Sequence, residues 1–212
     1  MAAGRASLDA ALDAALRLIA PPGVKTGCRK IDAADIDALT SEERAAVRTA
    51  VPRRQQEFAT GRVLLRQLLG TQVAIPVRPD RAPDLPPGVI ASLAHDDEFA
   101  IAAVSTDDVV AAVGLDLEPT DPLAPDIAEL IVRPDEGEID AHLAFTLKEA
   151  AYKAWSTAGG RILEHHDVRL VIDGRGFTAE VLDDGSHLDG RYVGVDGHWI
   201  AIVVVPRRSL TP

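Results

Sequence analysis

One cysteine, one methionine, four lysines and 4% aromatic residues mark what this 212-residue chain has little of. A single cysteine, Cys28, excludes a disulfide within the chain and favours a reducing compartment. No histidine or basic cluster adjoins it, so it reads as a buried or half-buried thiol and not as a nucleophile. No run approaches the ~20 apolar residues of a membrane span. The opening "MAAGRASLDAALDAALRLIAPPG" lacks a continuous apolar core, because Asp9, Asp13 and Arg17 interrupt it. Leu8, Leu12, Leu16 and Ile19 fall on one helical face instead, and Pro21-Pro22-Gly23 stops the helix. A cytoplasmic protein with no membrane attachment is expected. There is no low-complexity segment and no clear repeat.

What is present is a chain 47% hydrophobic, enough for one large domain or two small ones with a proper core. The net charge of -11 is unevenly placed. Through Ser105 there are 13 basic and 13 acidic residues, whereas from Thr106 onward there are 9 and 20. So acidic a chain is a poor nucleic-acid binder, since phosphate contacts dominate that affinity.

The elements follow from patterning. Thr40 and Glu43 have the spacing of a capping box before "SEERAAV". Beyond Pro52, "RRQQEFATGRVLLRQLLG" carries a helical apolar stripe and stops at Gly70. "VRPDRAPDLPPG" is an irregular loop. "VIASLAH", "FAIAAVS" and "VVAAVGLDLEP" read as strands, "IAELIV" begins a helix, and "TLKEAAYKAWSTAGG" is a helix ending at Gly159-Gly160. "DVRLVIDG", "GFTAEVLDDG", "RYVGV" and "HWIAIVVV" complete a strand-rich tail. The class is α+β, with a hint of two similar halves.

Several groups of residues carry potential chemistry. In "GLDLE", strand alternation puts Asp116 and Glu118 on one face and Leu115 and Leu117 on the other. Two adjacent carboxylates repel, a cost that a hard divalent cation removes; the bland alternative is a solvated edge strand. "FTLKEAAYKAW" (145–155) holds two of the four lysines. Thr146 and Glu149 suit a capping box there, and Glu149 and Lys153 a helix ion pair. The same side chains suit a third carboxylate and a phosphate partner. Between Arg44 and Arg66 lie six arginines and one acid, Glu57. Arg54 and Arg62 share a helix side, either solvated or suited to two-pronged phosphate contacts. His95 ends a strand. The remaining histidines show no metal-ligand spacing.

Taken together and in order, "RRQQEFATGR", "SLAH", "GLDLE" and "FTLKEAAYKAW" resemble the surfactin- and enterobactin-type 4'-phosphopantetheinyl transferases, nearer the enterobactin branch. The likeness runs from about Leu39 to Trp155, with a looser fit to Pro206. It implies transfer of the 4'-phosphopantetheine arm of coenzyme A to a serine of an apo acyl or peptidyl carrier protein, releasing 3',5'-ADP. The carrier would serve fatty-acid, polyketide or non-ribosomal peptide synthesis, siderophores and other secondary metabolites included. By the resemblance, Asp116, Glu118 and Glu149 hold Mg²⁺ against the pyrophosphate, with Asp116 also contacting the cofactor. Lys153 stabilises phosphate charge, Glu149 takes the serine proton, and Lys148 is supporting. His95 contacts a coenzyme A phosphate, Arg54 and Arg62 grip the nucleotide end at its 3'-phosphate, and Arg78 or Arg81 supplies a further basic group. The implied fold is a monomeric pseudo-dimer of two α+β subdomains, 1–105 and 106–212, with the active site in the cleft between them. The loop "PDLPPGVIASLAH" departs from the family's pattern at Leu85, Ala91 and Ala94, which touches the fine contacts to coenzyme A and leaves the carboxylates intact. That departure is the support for one alternative, a coenzyme A- or nucleotide-binding homologue without transferase activity; a Mg²⁺-dependent phosphohydrolase is a third reading.

Overall fold

The computed structural model describes residues 7–79 and 82–207, so Arg81 lies outside the described residues. Leu12, Leu16 and Ile19 form the buried side of α1 (Leu8–Ile19), as their spacing predicts. A hairpin-like return leads into β1 (Val24–Lys30), a short 3-10 turn and α2 (Ser41–Val47). The capping box at α2 is formed: Thr40 Oγ1 accepts from Glu43 N–H, and Glu43 accepts from Thr40 N–H. The helical run is interrupted after Val47, as expected before a proline, and Pro52 itself begins α3 (Pro52–Leu69), at a first-turn position where no N–H is missed. Gly70 ends α3 in the left-handed region, at φ 65°, as a helix-terminating glycine does.

Three antiparallel strands, β1, β2 (Ile90–His95) and β3 (Phe99–Ser105), make one sheet in the order β1-β3-β2. β3 is central and buried along its whole length. Its Ala102 and Val104 pack under Leu64 and Leu65 of α3, while Phe99, Ile101 and Ala103 face α1. The second sheet runs β4-β8-β7-β6-β5, from β4 (Val110–Pro119), β5 (Val168–Asp173), β6 (Gly176–Val181), β7 (Ser186–Val195) and β8 (His198–Pro206). Between β4 and β5 lie α4 (Pro125–Ile131) and α5 (Ala141–Thr157). α5 buries Leu143, Leu147, Ala150 and Ala154 against Leu170, Phe177, Val181 and Val203. The edge strands β2 and β4 run beside each other, and Leu115 N–H donates to Ser92 Oγ across the join. α3 and α5 therefore ride on one side of the two abutted sheets. On the other side α1 shares a core with Ile101, Leu115, Leu117, Ile200 and Ile202, residues of both sheets.

A buried ion pair fixes α2 to α3. Arg66 donates to both oxygens of Glu43, whose Oε1 also accepts from Ile75 N–H. Burial opposes ionisation of Glu43, but the Ile75 and Thr40 N–H groups and the Arg66 guanidinium outweigh it and hold the carboxyl below its ordinary 4.5. A depressed carboxyl contributes stability that is complete above its unfolded value and is lost as pH falls through the folded one. Denaturant midpoints should therefore drop on acidification below about pH 4.5. Glu43→Gln should lower stability at pH 7 and flatten that acid limb; an unchanged limb in the variant would remove Glu43 as its source.

Candidate active site

Strand alternation turns Leu115 and Leu117 into the shared core and leaves Asp116 and Glu118 on the opposite face of β4, beneath α5. The solvated-edge alternative does not describe this face, since Asp116 is only 4% exposed. α5 comes unusually near at Gly114, where an added Cβ would lie 1.9 Å from Ala150 O and 2.5 Å from Ala154 N. Glu149 and Lys153 thereby reach the strand's carboxylates. Lys153 Nζ donates to Asp116 Oδ1 at 2.6 Å and to Leu115 O at 3.1 Å, in place of the helix pair with Glu149 that the spacing suggests. Asp116 Oδ2 is buried with no hydrogen-bond partner.

The acids press on one another. Burial, then the neighbouring Asp116, pushes Glu118 up to about 7; Asp96 and Glu149 add to the rise and Lys153 opposes it. Burial, then Asp116, raises Glu149. Burial also raises Asp116, with Lys153 the chief opposing influence. Among the described residues, no group of three or more His, Cys, Asp or Glu is drawn together closely enough to hold a metal with the side chains as they stand.

The basic residues stand across a cleft of about 470 Å³. Arg54, Phe58 and Arg62 of α3 form one wall, His95 of β2 lies on the floor, and Lys153, Ser156 and Thr157 of α5 form the other wall. The continuous α3 does bring Arg54 and Arg62 to one side. Their surroundings differ. Arg54 is exposed in part; its guanidinium lies 2.9 Å from His95 Nε2 and donates to Glu57 Oε2 at 3.3 Å. Arg62 is 4% exposed, with its guanidinium 4.3 Å above the Phe58 ring and Nε donating to Ile75 O at 2.6 Å. Burial brings that guanidinium down to about 10. Arg62 thus braces the Ile75–Pro76 turn from within the cleft wall. Arg78 is exposed on the proline-rich loop and does not line the cleft.

Lys148 is buried and donates to Ile131 O, Glu136 Oε2 and His165 O, an architectural role. The capping box expected at Thr146 is absent. α5 starts at Ala141, capped by Asp140, which accepts from Leu143 N–H; Thr146 sits inside the helix and donates to His142 O. The helix starts earlier than the spacing predicts, and the earlier start lets Leu143 and Ala144 join the core. Cys28 is half-buried, and burial raises its thiol to about 12, in keeping with an inert group.

Some residues at the site carry no sequence signal of their own. Ser156 and Thr157 follow the lysine–glutamate motif and reach the cleft only because α5 runs on to Thr157. Glu57 was visible as the one acid among six arginines, and it collects Arg53, Arg54 and His95. Asp96 Oδ2 meets His198 Nε2 at 3.0 Å, joining the β2–β3 turn to β8 across 102 positions that no local pattern spans.

Comparisons with known proteins agree on one family. The model of the 4'-phosphopantetheinyl transferase N-terminal domain matches residues 42–105. The 4'-phosphopantetheinyl transferase Svp of Streptomyces mobaraensis is 36% identical over 186 residues, covering 78% of this chain and 75% of that protein. PptT of Mycobacterium tuberculosis, a protein of the same description, is 32% identical over 172 residues, covering 70% of this chain and 74% of its own. Npt of Nocardia iowensis is 28% identical over 209 residues, covering 87% of this chain and 94% of its own. With matches of this identity over most of both chains, and with the β4–α5 acid and lysine motifs inside one folded site, the chain belongs to the 4'-phosphopantetheinyl transferase family.

Proposed function

We propose that this transferase moves the 4'-phosphopantetheine arm of coenzyme A onto a serine hydroxyl of an apo acyl or peptidyl carrier protein, in the cleft between α3 and α5. The chain would act as a pseudo-dimer, residues 1–105 supplying the arginines and His95 and residues 106–212 the acids and Lys153. The observation that carries the reading is Asp116 Oδ2, a buried carboxylate oxygen without a partner beside two further carboxyls whose protons are held abnormally tightly. Hard carboxylate oxygens, one of them orphaned, are the donor type Mg²⁺ takes, and side-chain turns of Glu118 and Glu149 would have to complete the set. Asp116, Glu118 and Glu149 would hold that ion, which when bound cancels their repulsion and polarises a phosphoryl oxygen.

The chain's own groups do the rest. Arg54 and His95 bind phosphate oxygens at the cleft's basic wall, and Arg62 adds charge there while its Nε keeps the wall in place. Lys153 offers its ammonium to the charge that develops as the serine oxygen attacks phosphorus and the bond to 3',5'-ADP breaks. The serine proton passes to Glu149, directly or through water. Burial, then the neighbouring Asp116, raises the basicity of Glu149, which favours its taking a proton.

Incubation with apo-carrier, coenzyme A and Mg²⁺ should add the arm's mass to the carrier. Failure across a panel of carriers, with coenzyme A still bound, would leave a binding homologue; coenzyme A breakdown without carrier would mark a phosphohydrolase. Glu149→Gln should lower transfer by about 10²-fold with the melting temperature kept. A matching loss of folding would return the residue to architecture. Arg54→Ala should raise KM for coenzyme A by about 10-fold or more and change that for dephospho-coenzyme A little. Equal losses for both would remove Arg54 from the 3'-phosphate.

A further inference from the structure

One carboxylate stands inside the basic wall of the cleft. Glu57 lies in the second turn of α3 among the cleft-lining residues, with its side chain 12% exposed. Its oxygens are divided between two arginines. Oε1 accepts from Arg53 Nε at 3.0 Å, and Oε2 accepts from Arg54 Nη1 at 3.3 Å. Helix reinforcement does not explain the acid. Both arginines precede it, the less favourable order for a helix ion pair, and such pairs contribute little at a surface. Nor does it bind an anion directly, since its charge opposes any phosphate that reaches Arg54. What the contacts do is fix two neighbours. Arg54 Nη1 is brought to 2.9 Å from His95 Nε2. Arg53, held at Nε, extends Nη2 to the β2–β3 turn and donates to Asp96 O at 3.2 Å and to Asp97 O. Asp96 follows His95, so the turn at the end of β2 is gripped from α3.

We propose that Glu57 is a positioning residue: it pre-sets Arg54, and through Arg53 the turn beside His95, for the phosphates of coenzyme A. This rests on the reading of Arg54 and His95 as phosphate contacts. The Arg54 side chain is 48% exposed, and a guanidinium ordered before the ligand arrives loses less freedom on binding. The acid thus acts in two opposed ways. Its charge repels phosphate, while its hydrogen bonds aim the groups that attract phosphate. Aiming predominates, because two guanidinium groups sit on Glu57 and leave it little residual field at a phosphate. Glu57 touches no reacting atom, so its loss acts on affinity and leaves turnover at saturating coenzyme A within about threefold.

Calorimetric titration of coenzyme A into the full chain with Mg²⁺ measures affinity, and carrier modification gives KM and kcat. Glu57→Ala should weaken coenzyme A by about 10-fold and raise KM equally. Glu57→Gln, which keeps one acceptor oxygen, should fall between that variant and the parent. Parent-like or tighter binding by Glu57→Ala overturns the proposal; should that variant fail to fold, the same result in Glu57→Gln overturns it. A background of Arg54→Ala with His95→Ala separates positioning from architecture. With both targets gone only the repulsion remains, so adding Glu57→Ala there should leave affinity unchanged or tighten it. A further loss of about 10-fold would make Glu57 a structural residue and overturn the proposal. If the background itself binds coenzyme A like the parent, the phosphate reading fails and the proposal with it. If it binds weakly while Glu57→Ala binds like the parent, only the role of Glu57 fails.

Discussion

Asp116→Asn should reduce phosphopantetheine transfer by about 10³-fold while leaving the melting temperature unchanged or higher. The two halves of that expectation come from one fact. Asp116 is buried under α5, and burial raises its carboxyl despite the Lys153 contact. A carboxylate held against its preference for water is a cost to folding at neutral pH. The amide removes that cost, and Leu115 O still accepts from Lys153. Two functions are lost instead: the unpartnered Oδ2 as an anionic donor, and the charge that holds Lys153 and raises the carboxyls of Glu118 and Glu149. A purely architectural Asp116 predicts that activity and stability fall together, so calorimetry and the carrier assay on one variant decide between them. Transfer within about tenfold of the parent, with the same Mg²⁺ dependence, would dismiss the carboxylate from the chemistry.

Gly114→Ala should cost about 3 kcal/mol of stability or more and, in the protein that remains folded, about 10²-fold in transfer. The new methyl would stand 1.9 Å from one backbone atom of α5 and 2.5 Å from another, and neither belongs to a side chain able to turn away. Relief requires α5 to retreat by about 1 Å or more. That loosens Ala150 and Ala154, both fully buried, and every contact α5 makes with the five-stranded sheet. It also parts Glu149 and Lys153 from Asp116 and Glu118, and displacement on this scale is ruinous for phosphoryl transfer. Urea midpoints and single-turnover rates below the melting range measure the two effects separately. A variant as stable as the parent would mean that the helix and strand adapt more freely than the packing implies.

The glycine of "GLDLE" was in plain view, yet its reason was not. Alternation along β4 could be read from Leu115, Asp116, Leu117 and Glu118, because period-two patterning is local. That the strand's other face receives a helix 36 positions later is a tertiary fact. The same division runs through the rest of the chain. The Thr40–Glu43 box, the Gly70 stop and the Leu12–Leu16–Ile19 face each depend on residues within a few turns and were legible. The Glu43–Arg66 pair joins residues 23 apart, and sequence alone offers no way to tell a capping glutamate from one that is also a buried anion. Arg62 illustrates the reverse. Its place on the cleft side of α3 followed from helical spacing, but its Nε bond to Ile75 depends on where the chain returns after Gly70. At the other end of the site, Thr146 had the right neighbours for a cap and lost to Asp140, since helix starts are decided by what the core can accept.

Helix α1 bears on how such a protein can be taken apart. Its leucines close a shared interior to which both sheets contribute, so a chain severed near Ser105 would bare a greasy wall on each piece. Neither piece is an interchangeable cassette. Grafting the first half of such a chain onto the second half of another must therefore carry over α1 and the Ile101, Leu115 and Ile202 layer as one matched set, or the hybrid will clump.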